Sequence, residues 1–164
     1  MKSAIIYYSH SGGTRKIANM LCRVLSEAGQ ADLIELSSLD EPKSFFAQCR
    51  RALSHVLAKI EPVTFDLSGY QLICFGTPIW AFGPAPAMNS YLDRCFGIEG
   101  KDVILFTTYG SGTGNDRCLN YMQDILTKKG AKSFKRFSIQ RFKIRDSRFI
   151  FSKIKEVAPL SPNG

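Results

Sequence analysis

The chain has 164 residues, 45% of them hydrophobic and 22% charged, with a formal net charge of +8. That length fits one domain with a sizeable core, and no apolar run reaches the roughly 18 residues of a helical membrane span. Five scattered cysteines with no Cys-x-x-Cys pair, and only two histidines, argue against a structural zinc site.

The first apolar run, Ala4-Ile5-Ile6-Tyr7-Tyr8, reads as a strand over residues 2–8. It ends in a loop of hydroxyls and glycines: Ser9, His10, Ser11, Gly12, Gly13 and Thr14. A helix over 14–28 follows at once, with Ile17, Met20, Leu21, Val24 and Leu25 on one face. Strand, small-residue loop and helix together bind phosphate. The free N–H groups of the first turn and the helix dipole face the loop. Ser9, Ser11 and Thr14 can donate hydroxyl hydrogen bonds, and Gly12 and Gly13 allow close approach. Arg15 and Lys16 fall just beyond, where a solvated role is expected.

Absences narrow the phosphate. No Gly-Lys-Ser/Thr ending supplies the lysine and Mg²⁺ ligand of a nucleoside-triphosphate loop. No Gly-x-Gly-x-x-Gly marks a dinucleotide site. A cysteine-phosphatase loop needs arginine six residues after its cysteine. Here those positions hold Ala28, His55, Trp80, Lys101 and Asp124.

Further strands are expected at 31–36, 70–76, 102–108 and 132–140, with helices at 43–60, 84–96, 115–129 and 146–157. The second helix places Phe45, Phe46, Cys49, Leu53, Val56 and Leu57 on one side. Pro86 suits a first helical turn, Gly130 a helix end, Gly114 or Asn115 one cap and Asp146 another. Alternating strands and helices predict an α/β, doubly wound, five-stranded parallel sheet, order 2-1-3-4-5. Residues 1–158 form its single domain and 159–164 a tail. Cys74, in an apolar strand, is expected to be buried.

The loop Ser-x-Ser-Gly-x-Thr resembles the FMN phosphate loop of the flavodoxin family. Residues 72–83, Leu-Ile-Cys-Phe-Gly-Thr-Pro-Ile-Trp-Ala-Phe-Gly, resemble its second flavin loop, and residues 103–114, Val-Ile-Leu-Phe-Thr-Thr-Tyr-Gly-Ser-Gly-Thr-Gly, its third. The likeness covers nearly the whole chain and resembles the short form of the family. It implies FMN held by Ser9, His10, Ser11, Gly12, Gly13 and Thr14 at the phosphate. Thr77, Pro78, Ile79, Trp80, Ala81, Phe82 and Gly83 would flank one side of the ring. Thr108, Tyr109, Gly110, Gly112, Thr113 and Gly114 would flank the other. Trp80 and Tyr109 are the candidates for stacking, with Phe82 a competitor for Trp80's place.

No catalytic triad or carboxylate pair emerges, and a bound flavin needs none. The implied function is a small electron carrier between redox partners. The alternative is an FMN-dependent NAD(P)H oxidoreductase acting on a quinone or similar acceptor. Small size and no visible nicotinamide motif favour the carrier. Free thiols and the absence of a secretory signal point to the cytoplasm.

The charge is uneven. Residues 1–127 hold 11 Lys+Arg against 12 Asp+Glu, whereas residues 128–156 hold 11 against 2. Family carriers are usually acidic near the flavin. A basic segment instead implies an acidic redox partner or an anionic substrate. Arg141, Lys143 and Arg145 are expected to rim the crevice, with Lys128, Lys129, Lys132 and Lys135 further away. The segment lacks a nucleic-acid-binding motif.

Overall fold

The structure is a computed structural model. It describes residues 1–39, 57–110 and 114–159. In chain order the elements are β1 (Lys2–Tyr8), α1 (Gly13–Ser26), β2 (Gln30–Leu36), β3 (Leu72–Trp80), β4 (Gly83–Pro84), α2 (Pro86–Arg94), β5 (Asp102–Tyr109), α3 (Asn115–Lys128), β6 (Ser133–Gln140), a 3-10 turn (Arg141–Arg145) and α4 (Ser147–Val157). The sheet runs β2-β1-β3-β5-β6, all parallel, with β4 as a two-residue antiparallel addition to β3. Without that short strand, the order is the one the sequence predicts.

Strand alternation builds two cores. Ile6, Tyr8, Ile73, Phe75 and Leu105 point to one face, where α2 and α3 bring Met88, Tyr91, Cys118, Met122 and Leu126. Ile5, Tyr7, Cys74, Ile104 and Phe106 point to the other, against Ile17, Leu21 and Leu25 of α1 and Ile150 and Ile154 of α4. Central strands covered on both faces must be apolar at every position. That is why β3 and β5 read as unbroken hydrophobic runs. Cys74 is buried as expected.

Helix ends follow local chemistry. Pro86 opens α2 at its first position. Asp146 caps α4, accepting a hydrogen bond from the Phe149 N–H at 3.0 Å. Beyond α3, the Gly130 N–H bonds the Thr127 carbonyl and the Ala131 N–H bonds that of Leu126. Those two bonds satisfy carbonyls the helix leaves open.

Two expectations fail. The predicted helix over 43–60 falls mostly outside the described residues, as do Phe45, Phe46, Cys49, Leu53, His55 and Val56. Its last part is contradicted: residues 57–60 are not helical. Ser38 bridges Ile60 in extended pairing, and Leu57 is exposed rather than on a buried face. The strand ending expected at Gly76 is also wrong. β3 continues to Trp80, because Thr77 and Pro78 still pair with Thr107 and Thr108.

Candidate flavin site

The carboxyl ends of β1, β3 and β5 meet at one edge of the sheet, where an open α/β sheet binds its ligand. Gly12 caps α1 with φ +86°, a conformation that favours glycine. The Lys16 N–H bonds the Gly12 carbonyl at 3.0 Å, and the Arg15 N–H bonds Ser9 Oγ at 3.2 Å. The N–H groups of Gly13 and Thr14 have no intrahelical acceptor. A Cβ built on Gly12 meets no atom within 4 Å, so the backbone at this cap is open. His10 and Ser11 are exposed around it.

Both cations that follow the loop have other partners. Arg15 Nε bonds Glu35 at 3.0 and 3.2 Å, and Glu35 also accepts from the Tyr7 hydroxyl at 3.0 Å. Burial, with help from the Glu35 carboxylate, pushes the Tyr7 phenol up to about 12. Lys16 Nζ donates to the Ile144 carbonyl at 2.8 Å. Arg15 stays exposed, as expected, and half-buried Lys16 turns to the carbonyl; the two side chains fasten α1 to β2 and to the 3-10 turn. A phosphate here would be held by backbone amides, hydroxyls and the helix dipole.

Thr14 is buried, and its Oγ1 lies 3.0 Å from Thr108 Oγ1. This bond ties the start of α1 to the end of β5. It still allows one hydroxyl of the pair to donate outward, since each can also accept. Thr14→Val is expected to cost FMN about tenfold in affinity, the lower end of a charge-assisted bond of roughly 1.5–3 kcal/mol. Riboflavin, which lacks the phosphate, should bind nearly as before. Equal losses in titrations of both ligands would show that the hydroxyl serves only the Thr108 tie.

After β3 the chain makes a tight hairpin into β4, pairing Trp80 with Gly83 and Ile79 with Pro84. Its corner residues, Ala81 and Phe82, have φ +47° and +68°. Non-glycine residues there carry strain of about 1–3 kcal/mol each. The Thr77 hydroxyl braces the hairpin, accepting from the Ala85 N–H and donating to the Pro78 carbonyl, each at 3.0 Å. The strained corner turns Phe82 outward, 46% exposed, against Gly114 of the next loop. A Cβ on Gly114 would lie 2.5 Å from Phe82 Cδ1, so only glycine fits under the ring. Arg117 stands over the same ring at 6.0 Å.

Trp80 is 7% exposed and meets both Tyr8 and His10 edge to face, with centroids 5.6 Å apart in each pair. Trp80 and its competitor Phe82 thus differ in placement: Trp80 is buried against Tyr8 and His10, and Phe82 is exposed. Tyr109 is half-buried at the end of β5, and beyond it Gly110 has open space over its Cα. Gly112 and Thr113 lie outside the described residues.

Several contributors escaped sequence reading. The Gln140 side-chain amide donates to the Gly110 carbonyl at 3.2 Å. Ile144 packs 3.7 Å from a Cβ position on Gly13, fixing the 3-10 turn against the phosphate loop. Their sequence context, a basic turn after an edge strand, carries no signal for this. Only the crossover that returns β6 beside β5 brings the turn to α1.

The fold and these converging loops define a flavodoxin-like FMN-binding protein. The family model described as NADPH-dependent FMN reductase matches residues 1–142, and the chain belongs to that FMN-binding family. No curated protein sequence matches it. Among solved structures it is similar to a flavoprotein from Lactobacillus acidophilus NCFM in complex with FMN. Identity there is 22% over 82% of this chain and 92% of that one, with a TM-score of 0.64. Oxidised Flavodoxin 1 from Bacillus cereus is 16% identical over 97% and 100% of the two chains, with a TM-score of 0.62. An NADH:FMN oxidoreductase in its apo form is 19% identical over 95% and 88%, with a TM-score of 0.61. These likenesses establish the fold.

Proposed function

We propose that the protein is an FMN-dependent oxidoreductase that takes reducing equivalents from NAD(P)H. The observation that carries the flavin reading is the α1 N-terminus. Its cap at Gly12 is open, its amides at Gly13 and Thr14 have no intrahelical acceptor, and the ends of β3 and β5 reach the loop through the His10–Trp80 ring contact and the Thr14–Thr108 bond. The family match over residues 1–142 favours the nicotinamide-dependent enzyme over the carrier.

When bound, FMN supplies the two-electron chemistry, accepting hydride from a nicotinamide and returning electrons to an acceptor. The chain's residues bind and orient it. Gly13, Thr14, Ser9 and Ser11 would hold the phosphate. The hairpin from Thr77 to Gly83 and the strand end at Thr108 to Gly110 flank the ring. Phe82 is the residue whose exposed face best suits stacking. Trp80, buried beside His10, would support the ring from below the loop rather than stack on it.

A one-domain electron carrier is the second reading, favoured by the uncompensated charge of the neighbouring 3-10 turn. NADH and NADPH oxidation by the FMN-loaded protein, with and without a quinone, separates the two. Steady oxidation supports the enzyme. Turnover no faster than free FMN, from a protein that still holds one FMN, supports the carrier.

Trp80 is the only tryptophan. Its emission is expected to be strongly quenched on FMN binding and restored when the flavin is removed. Equal emission from both forms would place the ring away from the β3 hairpin.

A further inference from the structure

The basic residues of the C-terminal segment divide into two groups. Some have work within the fold. Lys129 Nζ donates to the carbonyls of Asp93 and Cys95, both at 2.9 Å. Arg136 donates to Asn120 at 2.7 Å. Lys135, exposed on the edge strand β6, guards an unpaired ladder against other strands.

The second group has no such work. Arg141, Lys143 and Arg145 are exposed around a 3-10 turn in which Ile144 alone points inward. Phe142, in their midst, is 66% exposed, more than any other large hydrophobic side chain among the described residues. Lys143 Nζ sits between two rings, 5.6 Å from Phe142 and 5.5 Å from Phe149. The pattern continues along α4. Ile150, Ile154 and Val157 face the core, while Arg148, Phe151 and Lys155 are exposed on the opposite face. Lys155 Nζ lies 4.8 Å over the Phe151 ring. Among the described residues, none of these five cations forms an ion pair with a carboxylate.

We propose that the 3-10 turn and the outer face of α4 form the docking surface for an acidic redox protein that exchanges electrons with the flavin. The proposal rests on the FMN reading of the crevice. Aromatic side chains set among unpaired cations have the composition of an interface with an apolar centre and charged rim. The surface is too long for a small anion: the 11 residues of α4 alone extend about 16 Å. Its position argues for a redox partner over a membrane or nucleic acid. Ile144 packs on Gly13, and Lys16 binds the Ile144 carbonyl, so the turn adjoins the phosphate loop. The remainder of the chain, residues 1–127, carries a net charge of −1. The molecule is therefore polar in charge and would turn this side towards a negative partner.

A plant-type [2Fe–2S] ferredoxin, an acidic one-electron protein, serves as the probe. In stopped flow, its reduced cluster gives one electron to the oxidised flavin. Two clusters are oxidised for each flavin fully reduced, and the protons come from solvent. Arg141→Glu with Lys143→Glu and Arg145→Glu is expected to slow this exchange at least tenfold at about 10 mM salt. The difference should vanish near 0.5 M salt, where the screening length falls to a few ångströms. Phe142→Ser, which leaves the charges, should speed dissociation. FMN content is measured in both variants, and exchange rates are compared at full FMN occupancy.

Binding of oxidised ferredoxin to flavin-free protein, followed by calorimetry, tests docking separately. A chain that takes no FMN yet binds ferredoxin through these residues would overturn the flavin reading and leave the surface standing. Wild-type exchange that ignores salt, no association with ferredoxin, or a triple variant that behaves as wild type would overturn the docking surface. So would preferential binding of phosphatidylserine vesicles or duplex DNA that the triple variant loses.

Discussion

Gly12→Val is expected to lower FMN affinity by at least 100-fold while leaving a folded protein. A Cβ at residue 12 meets no protein atom within 4 Å, so no packing is disturbed. Two other effects remain. The φ of +86° is one a β-branched residue adopts only at a cost of about 1–2 kcal/mol. On the FMN reading, a branched side chain at the cap would also crowd a phosphate held by the Gly13 and Thr14 amides. The first effect appears as a modest fall in melting temperature. The second appears in an FMN titration followed by flavin fluorescence. A variant that binds FMN within threefold of wild type would show that the phosphate does not lie over this turn.

Gly76→Ala is expected to be the most destabilising single-methyl change in the sheet, by about 3 kcal/mol or more, the upper end for overpacked cores. Gly76 lies within β3, paired with Tyr7 of β1 and Phe106 of β5. A Cβ there would lie 2.0 Å from Phe106 Cζ and 2.2 Å from Cε2. The ring cannot yield easily. It is fully buried and stacked on Phe137, with centroids 5.7 Å apart and planes 13° apart. The melting temperature should fall by about 6–12 °C, at roughly 2–4 °C per kcal/mol for a domain of this size. Phe106→Leu, costly alone, should recover part of that loss when combined with Gly76→Ala, because it makes room for the methyl group. Additive losses in the double variant would rule out this contact as the cause.

Gly76 also shows how sequence and structure divide the information. In the sequence it lies within the segment 72–83 that resembles a flavin loop, and glycine there reads as the end of a strand. In the structure it is glycine because a neighbouring strand lays an aromatic ring across it. The strand therefore runs on four residues to Trp80, and the turn forms just after it at the strained pair Ala81 and Phe82. Neither residue is a usual choice for positive φ, so local propensity pointed elsewhere. Thr14 and Thr108 are likewise legible as separate members of two loops. Their bond depends on the parallel crossovers that bring α1 and the end of β5 together.

What the sequence by itself determined is the alternation of strand and helix and the glycine-capped helix start after β1, with the sheet order following from the family resemblance. The first two rest on local rules: hydrophobic period, capping residues, and the need of a helix N-terminus for an anion. Tertiary structure alone decided which side chains remain available. It buried Trp80 and exposed Phe82. It drew Arg15 and Lys16 away from the phosphate loop to Glu35 and Ile144. It set the 3-10 turn with Phe142 beside Gly13. Each depends on a partner far away in sequence, 20 residues for Arg15 and Glu35 and 128 for Lys16 and Ile144. A side chain's role there is fixed by the neighbour that satisfies its charge or covers its surface, and the fold selects that neighbour.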